Sequence, residues 1–396
     1  MFKENKAGWS VLVSSAFLQL FLGVIYAWGV FVLPVAEAFG WHIEAVQLTA
    51  SFTVGFFTVG TFTGGKLQLK LGAAKVVMIG GFLMTAGMAF AAITPTSHPW
   101  LIYMTYGVMG GIGSGMGYMP ILTAAQKWFP KQRGLATGIS VGTFGLSVTL
   151  LAPVLRTLLE NFSPQTVFLI MSGSFFLVTL VFGRLIKFPV EAVETTNMLV
   201  NYDESKQMMT SEMVKTKEFY LLFAALFLIC VAFFVINPAI VPLTLERGFD
   251  VGFATGIIMM TGVGNTLGRL VIPVFTNKVK IEWLIVGLFA ILTIAAGMLT
   301  TATGILFVIM VMLVPICFGA AMSLWPLIVA DYFGVKHLGA NYGAVGFGFS
   351  TSALFMPGLI ALLGDYSIRF IAVSVLSLCG MLTMLPLLLM AKRKVD

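Results

Sequence analysis

The sequence predicts an all-α membrane protein: twelve transmembrane helices in two six-helix bundles, with both termini on the cytoplasmic side. Three observations predict it. The 396 residues are 59% hydrophobic and 10% charged, against about 25% charge in an ordinary soluble chain. Apolar runs long enough to cross a bilayer, roughly 17–25 residues each, recur along the whole sequence and are continuous rather than alternating, which excludes a β-barrel. In hydrocarbon the backbone must then satisfy itself as helix. Third, the cations fall almost entirely on alternate connections between the runs.

The first bundle is read as residues 1–186, with spans at about 9–36, 45–65, 76–94, 100–126, 132–156 and 164–186. Residues 187–217 are the one long polar segment and carry Glu191, Glu194, Asp203, Glu204 and Lys206; they read as a cytoplasmic linker. The second bundle, 218–396, has spans at about 218–244, 253–276, 282–301, 304–331, 337–363 and 367–391. With the amino terminus inside, the cytoplasmic segments collect the lysines and arginines from Lys3 to Lys394, while the opposite side receives Arg156, Arg247 and Arg369. This asymmetry is the positive-inside rule and fixes an even number of spans. The net charge of +7 is therefore topological, and a nucleic-acid partner is not expected. Arg269 is the cation left over.

Cys230, Cys317 and Cys379 each sit in an apolar run, and His42, His98 and His337 lie near span ends. Neither set has metal-ligand spacing, so no metal or cofactor is expected. The halves are weakly repeated. FVLPVAEAFGW from Phe31 is matched by AIVPLTLERGF from Ala239, Pro34 and Gly40 answering Pro242 and Gly248. Pro120, Trp128-Phe129 and Pro153 are answered by Pro326, Tyr332-Phe333 and Pro357. Parallel repeats of this kind place a substrate site near the membrane midplane.

Three segments carry a family resemblance. GVIYAWGVFVLPVAEAFGW (Gly23 to Trp41) resembles the first helix of the oxalate/formate antiporter family of the major facilitator superfamily. WFPKQRGLATGISVGTFG (Trp128 to Gly145) resembles a loop and helix that this family shares with the monocarboxylate transporters, and NTLGRLVIPVFTNK (Asn265 to Lys278) resembles their eighth helix. Lys6-Ala-Gly-Trp9 is a short further likeness. The resemblance implies the major facilitator fold and a secondary transporter rather than an enzyme. It also implies a small organic carboxylate as cargo, with a co-transported proton as one form of coupling. Departures are also present. Leu69 stands where the superfamily's signature loop has aspartate, and Asn277 takes the matching place in the second half, which puts charge-relay gating in doubt.

Arg269 lies eight residues before Asn277, roughly 12 Å from the helix end at 1.5 Å per residue. An arginine at that depth costs at least about 2.5–3.5 kcal/mol, so it is expected to face a central cavity and clamp a carboxylate with its planar fork. A structural arginine bonded to helix carbonyls or an acidic neighbour is the alternative. Every Asp and Glu falls near a helix end or in a loop, which weighs against the acidic neighbour. Asn265, one turn earlier, shares its face; it is expected to orient the guanidinium or bond the substrate. Animal-type monocarboxylate transporters have aspartate there, so proton coupling through this pair is doubtful. In the oxalate/formate family a lysine lies six positions beyond the glycine of Asn-Tyr-Gly; here Asn341-Tyr342-Gly343 leads to Phe349. One cation suits a monoanion of the lactate, pyruvate, formate or acetate class. The alternatives are an oxalate-type dicarboxylate exchanger or a carrier for another small solute.

The resemblance places cavity tyrosines at Tyr26 and Tyr118, and Phe144, Phe318, Met322, Trp325 and Phe349 are read as apolar walls; each is equally consistent with core packing. The glycines of the fourth span (Gly107 to Gly117) and of the eleventh (Gly343, Gly346, Gly348) read as close-packing or bending surfaces. A buried nucleophile with its base is missing from the spans, which argues against an intramembrane enzyme, whereas a transporter-like sensor would share every feature. A monomer in a bacterial inner membrane is expected.

Overall fold

The computed structural model describes residues 6–189 and 207–392. It is helical throughout, with no strand among the described residues. Polar linker residues 190–206 lie outside the described part. The chain divides into two compact units. The first holds the described residues up to Thr210 together with Phe333–Ala344; the second holds Ser211–Tyr332 and the described residues from Val345 onward.

The first unit starts with α1 (Lys6–Leu22), which tightens into a 3₁₀ stretch over Gly23–Val30 and resumes as α2 (Val32–Phe39). Next come α3 (Ile43–Leu71) and α4 (Ala73–Ala92), then a π-helical stretch (Tyr103–Met109) that leads into α5 (Gly110–Trp128). The bundle is completed by α6 (Arg133–Asn161) and α7 (Pro164–Phe182). Helix α7 starts where it does because Ser163 Oγ accepts from the Thr166 amide at 3.3 Å and Pro164 occupies the first turn, where a missing N–H costs nothing.

Further along the chain a short α8 (Thr210–Met213) precedes α9 (Lys217–Ile236), capped by Thr216. Then follow α10 (Ile240–Glu246), α11 (Val251–Val271), α12 (Ile281–Leu299), α13 (Gly304–Phe333), α14 (Leu338–Leu363) and α15 (Tyr366–Lys392). Asp250 Oδ1 accepts from the Phe253 amide at 2.9 Å and so fixes the start of α11. Arg247 binds the far end of α12, donating to the carbonyls of Ala302 (2.9 Å), Leu299 (3.1 Å) and Thr300 (3.1 Å).

The sequence repeat is visible in the backbone. Gly40 and Gly248 both end a helix in the left-handed region, at φ 60° and 84°. Around each, the same pair of bonds closes the turn: Trp41 N to Ala36 O with Gly40 N to Glu37 O, and Phe249 N to Thr244 O with Gly248 N to Leu245 O. Only glycine takes that conformation without strain.

Ten described helices are long and apolar enough to cross a membrane. The segments expected at 100–126 and 337–363 are helical but fall outside that set. For α5 the physical reason is burial in protein. Nearly every residue of α5 from Gly110 to Gln126 is covered, so this helix meets neighbours rather than lipid and tolerates glycine and polar groups. A Cβ on Gly115 would strike the Phe57 carbonyl of α3, and one on Gly113 the Gly80 carbonyl of α4 at 2.6 Å. The glycines are contact surfaces.

Phe333–Ala344 packs with the first unit by defined contacts. A Cβ at Gly65 would meet the Gly339 backbone, and one at Gly343 would meet Phe62 at 2.5 Å. Buried Asn341 bonds residues 208 and 210, its Nδ2 donating to Met208 O (3.0 Å) and its Oδ1 accepting from Thr210 Oγ1 (2.8 Å). Met208 N donates to Phe333 O at 3.1 Å.

Candidate functional site

In the second unit, α11 presents Asn265 and Arg269 one turn apart, the spacing at which helical side chains meet. Arg269 is 1% exposed, and its Nε donates to Asn265 Oδ1 at 2.8 Å. That bond fixes the plane of the guanidinium. Helix α13 supports the pair from one side. A Cβ on Gly319 would collide with the Asn265 carbonyl and lie 2.8 Å from Asn265 Oδ1, and one on Gly268 would collide with the Ile316 carbonyl. Two glycines thus bring the backbones of α11 and α13 together at this level. Ser323 Oγ donates to the Arg269 carbonyl at 3.1 Å and locks the register.

Also in this unit, Phe318 stacks on Phe233 at 3.9 Å between centroids, and Phe349 stands 5.5 Å from Phe234 and 6.3 Å from Phe318. Met322 and Trp325 are buried on α13. The Trp325 indole donates to the Leu222 carbonyl at 3.1 Å, which commits its polar edge to α9.

In the first unit, Tyr26, Tyr118 and Phe144 come together. Phe144 lies edge-on to Tyr26 (5.4 Å) and to Tyr118 (5.1 Å), and Phe57 joins them at 5.4 Å from Tyr118. Edge-to-face rings of this kind favour one arrangement. Tyr26 is half-buried, while Tyr118 and Phe144 are fully buried. Trp9, from the short Lys6–Trp9 likeness, and Phe129, from the Trp128–Gly145 segment, meet edge-on at 5.3 Å.

Sequence reasoning missed Phe57, Phe233, Phe234, Ser323 and Gln19. The last had a signal: a glutamine amid the apolar run SAFLQLFLG, where an intramembrane polar residue asks for a partner. Gln19 is fully buried beside Tyr118 and Ser140. The phenylalanines had none, since so many others share their pattern. What the arrangement offers chemically is a buried, oriented fork of N–H donors and several aromatic surfaces. Among the described residues no group of His, Cys, Asp or Glu is arranged to hold a metal.

Comparison with known proteins adds the family. The chain is 25% identical over 359 residues to the Escherichia coli "Uncharacterized MFS-type transporter YhjX", covering 88% of this chain and 87% of that one. It is 24% identical to the oxalate:formate antiporter of Oxalobacter formigenes, covering 89% and 84%. Rat monocarboxylate transporter 13 is 32% identical over 42% of this chain and 39% of its own length. Among solved structures, the proton:xylose symporter XylE superposes with a TM-score of 0.75 at 14% identity, over 96% of this chain and 95% of that one. The human organic anion transporter MFSD10 gives 0.70 at 15%, over 97% and 100%; at these identities the likeness is one of fold. The Major Facilitator Superfamily profile matches residues 12–329. The chain is therefore a membrane transporter of the Major Facilitator Superfamily, in the group that includes the oxalate:formate antiporter and the monocarboxylate transporters.

Proposed function

We propose that the protein carries a small monocarboxylate of the lactate, pyruvate, formate or acetate class by alternating access, through twelve spans with both ends in the cytoplasm. The observation that carries this reading is Arg269, buried in the last turn of α11 and held in plane by Asn265. The planar fork of a guanidinium matches a carboxylate through two parallel N–H···O bonds. The names of two relatives, an oxalate:formate antiporter and a monocarboxylate transporter, point to cargo of the same chemistry.

Charge decides between one carboxylate and two. Phe349, at the place where the oxalate/formate family has lysine, lies among Phe234 and Phe318, and an apolar wall there favours a monoanion. A second carboxylate beside it would lose its hydration without a partner. An oxalate-type exchanger is the competing reading, supported by the 89% coverage of the match to the oxalate:formate antiporter. Coupling is either anion exchange or proton symport. Counterflow in liposomes tests the assignment: labelled lactate accumulates against unlabelled lactate trapped inside, and oxalate does not replace it. Accumulation driven by oxalate but not by any monocarboxylate overturns the reading in favour of the dicarboxylate exchanger.

A further inference from the structure

The interior of the first unit holds a file of neutral polar side chains that the anion site does not use. Gln19, Gln68 and Gln126 are 0%, 3% and 3% exposed. Each carboxamide donates to a hydroxyl on a neighbouring helix: Gln68 Nε2 to Thr123 Oγ1 (3.5 Å), Gln126 Nε2 to Thr137 Oγ1 (2.9 Å) and Gln19 Nε2 to Ser140 Oγ (3.3 Å). Gln19 also donates to the Tyr118 carbonyl at 3.4 Å. Thr123 and Gln126 lie one turn apart on α5, and Thr137 and Ser140 one turn apart on α6. These pairs lie on α3, α5, α6 and α1, with one-turn steps between Thr123 and Gln126 and between Thr137 and Ser140, from the Lys66–Lys70 end of α3 to the Tyr118 carbonyl.

The carboxamide oxygens Gln19 Oε1, Gln68 Oε1 and Gln126 Oε1 are all buried without a protein hydrogen-bond partner. Reversing an amide does not cure this, because an NH₂ group then takes the orphan place; at Gln19 the reversal would also set two carbonyls face to face. A buried acceptor left unmade is costly, and three along one file call for a common explanation. Water is the ligand that fits: it donates to each carbonyl and finds further partners in the adjacent hydroxyls, the two to four polar contacts that an internal water needs.

We propose that the three glutamines hold internal waters, and that this hydrated file is a proton's route between the Lys66 end of α3 and Tyr118. The file contains no carboxylate or imidazole, so it stores no proton. Each water receives a proton from one neighbour and passes another to the next, leaving the file as it began. Gln68 Nε2 abuts Gly339, where a Cβ would strike it, so the start of α14 packs against the file at that end.

The water half of the proposal is independent of the cargo; the proton half rests on the monocarboxylate reading. Pulsed hydroxyl-radical footprinting tests the first. Tyr118, 3% exposed, should be oxidised in the wild type, because bound water generates the radical beside it. Gln19→Leu should lower that labelling at least about tenfold. Unlabelled Tyr118 in the wild type overturns the proposal. For the second half, liposomes loaded with a pH dye report proton entry with lactate. Gln126→Leu should cut that entry at least about tenfold while lactate–lactate counterflow stays within about twofold. Parallel loss of both fluxes, no loss of either, or wild-type exchange without proton movement overturns the route. Absence of wild-type counterflow sinks the monocarboxylate reading and the route with it, and the internal waters then stand or fall on the labelling of Tyr118.

Discussion

Gly319 of α13 lies so close to Asn265 of α11 that a single added methyl would overlap the Asn265 carbonyl. This contact and the Arg269–Asn265 bond form one assembly, because Asn265 Oδ1, the acceptor for Arg269 Nε, is only 2.8 Å from the same methyl position. Gly319→Ala is expected to push α11 from α13, at about 1–3 kcal/mol of overpacking strain. The variant should melt lower, and lactate should no longer raise its melting temperature. A normal lactate-induced shift in this variant would separate Gly319 from the anion site.

Asn265→Asp keeps the acceptor for Arg269 but adds a carboxylate beside it, in competition with any bound anion. We expect lactate affinity to fall at least about tenfold, or about 1.4 kcal/mol, with the loss recovered as the aspartate is protonated at lower pH. Isothermal titration at two pH values checks both the fall and its direction.

Asn341 is buried, and its amide uses both ends to hold residues 208 and 210. Asn341→Ala breaks both bonds at about 0.5–1.5 kcal/mol each and loosens the end of the linker from the start of α14. Tryptic cleavage at Lys215 should accelerate, while binding of lactate at Arg269 persists in direct titration.

Arg247 donates to three carbonyls at the end of α12. Its replacement by Ala should cost about 2 kcal/mol of stability through lost charge-assisted bonds. Lactate affinity measured at a temperature where the variant stays folded should be unchanged.

Much of the fold was legible in the residues. Long apolar runs dictate helices, and the pairing of Gly40 with Gly248 announced two related halves whose turns prove to close with the same bonds. The adjacency of Asn265 and Arg269 followed from helical periodicity alone. Contacts distant in sequence were not legible. Gln19 meets Ser140 121 residues later, and no local pattern signals such a partner. Phe333–Ala344 groups with the first unit, and Gly65 and Gly339 touch there, whereas either glycine alone reads as an ordinary helix or turn residue. Trp325 shows a different limit: an aromatic residue on an apolar face reads equally as a cavity wall or as core, and here its N–H is taken by Leu222. The expected span 100–126 illustrates how a protein-covered helix escapes a hydropathy criterion, because glycine and polar residues are tolerated where lipid does not reach.

The direct test of the central claim is titration of lactate into the purified wild type and into Arg269→Ala and Arg269→Lys, with folding of each verified by circular dichroism. The wild type should bind, the alanine variant should lose at least about 100-fold, or about 2.7 kcal/mol, and lysine should recover only part because it lacks the planar fork. Equal lactate affinity in the wild type and Arg269→Ala would contradict the assignment of this guanidinium as the anion's seat.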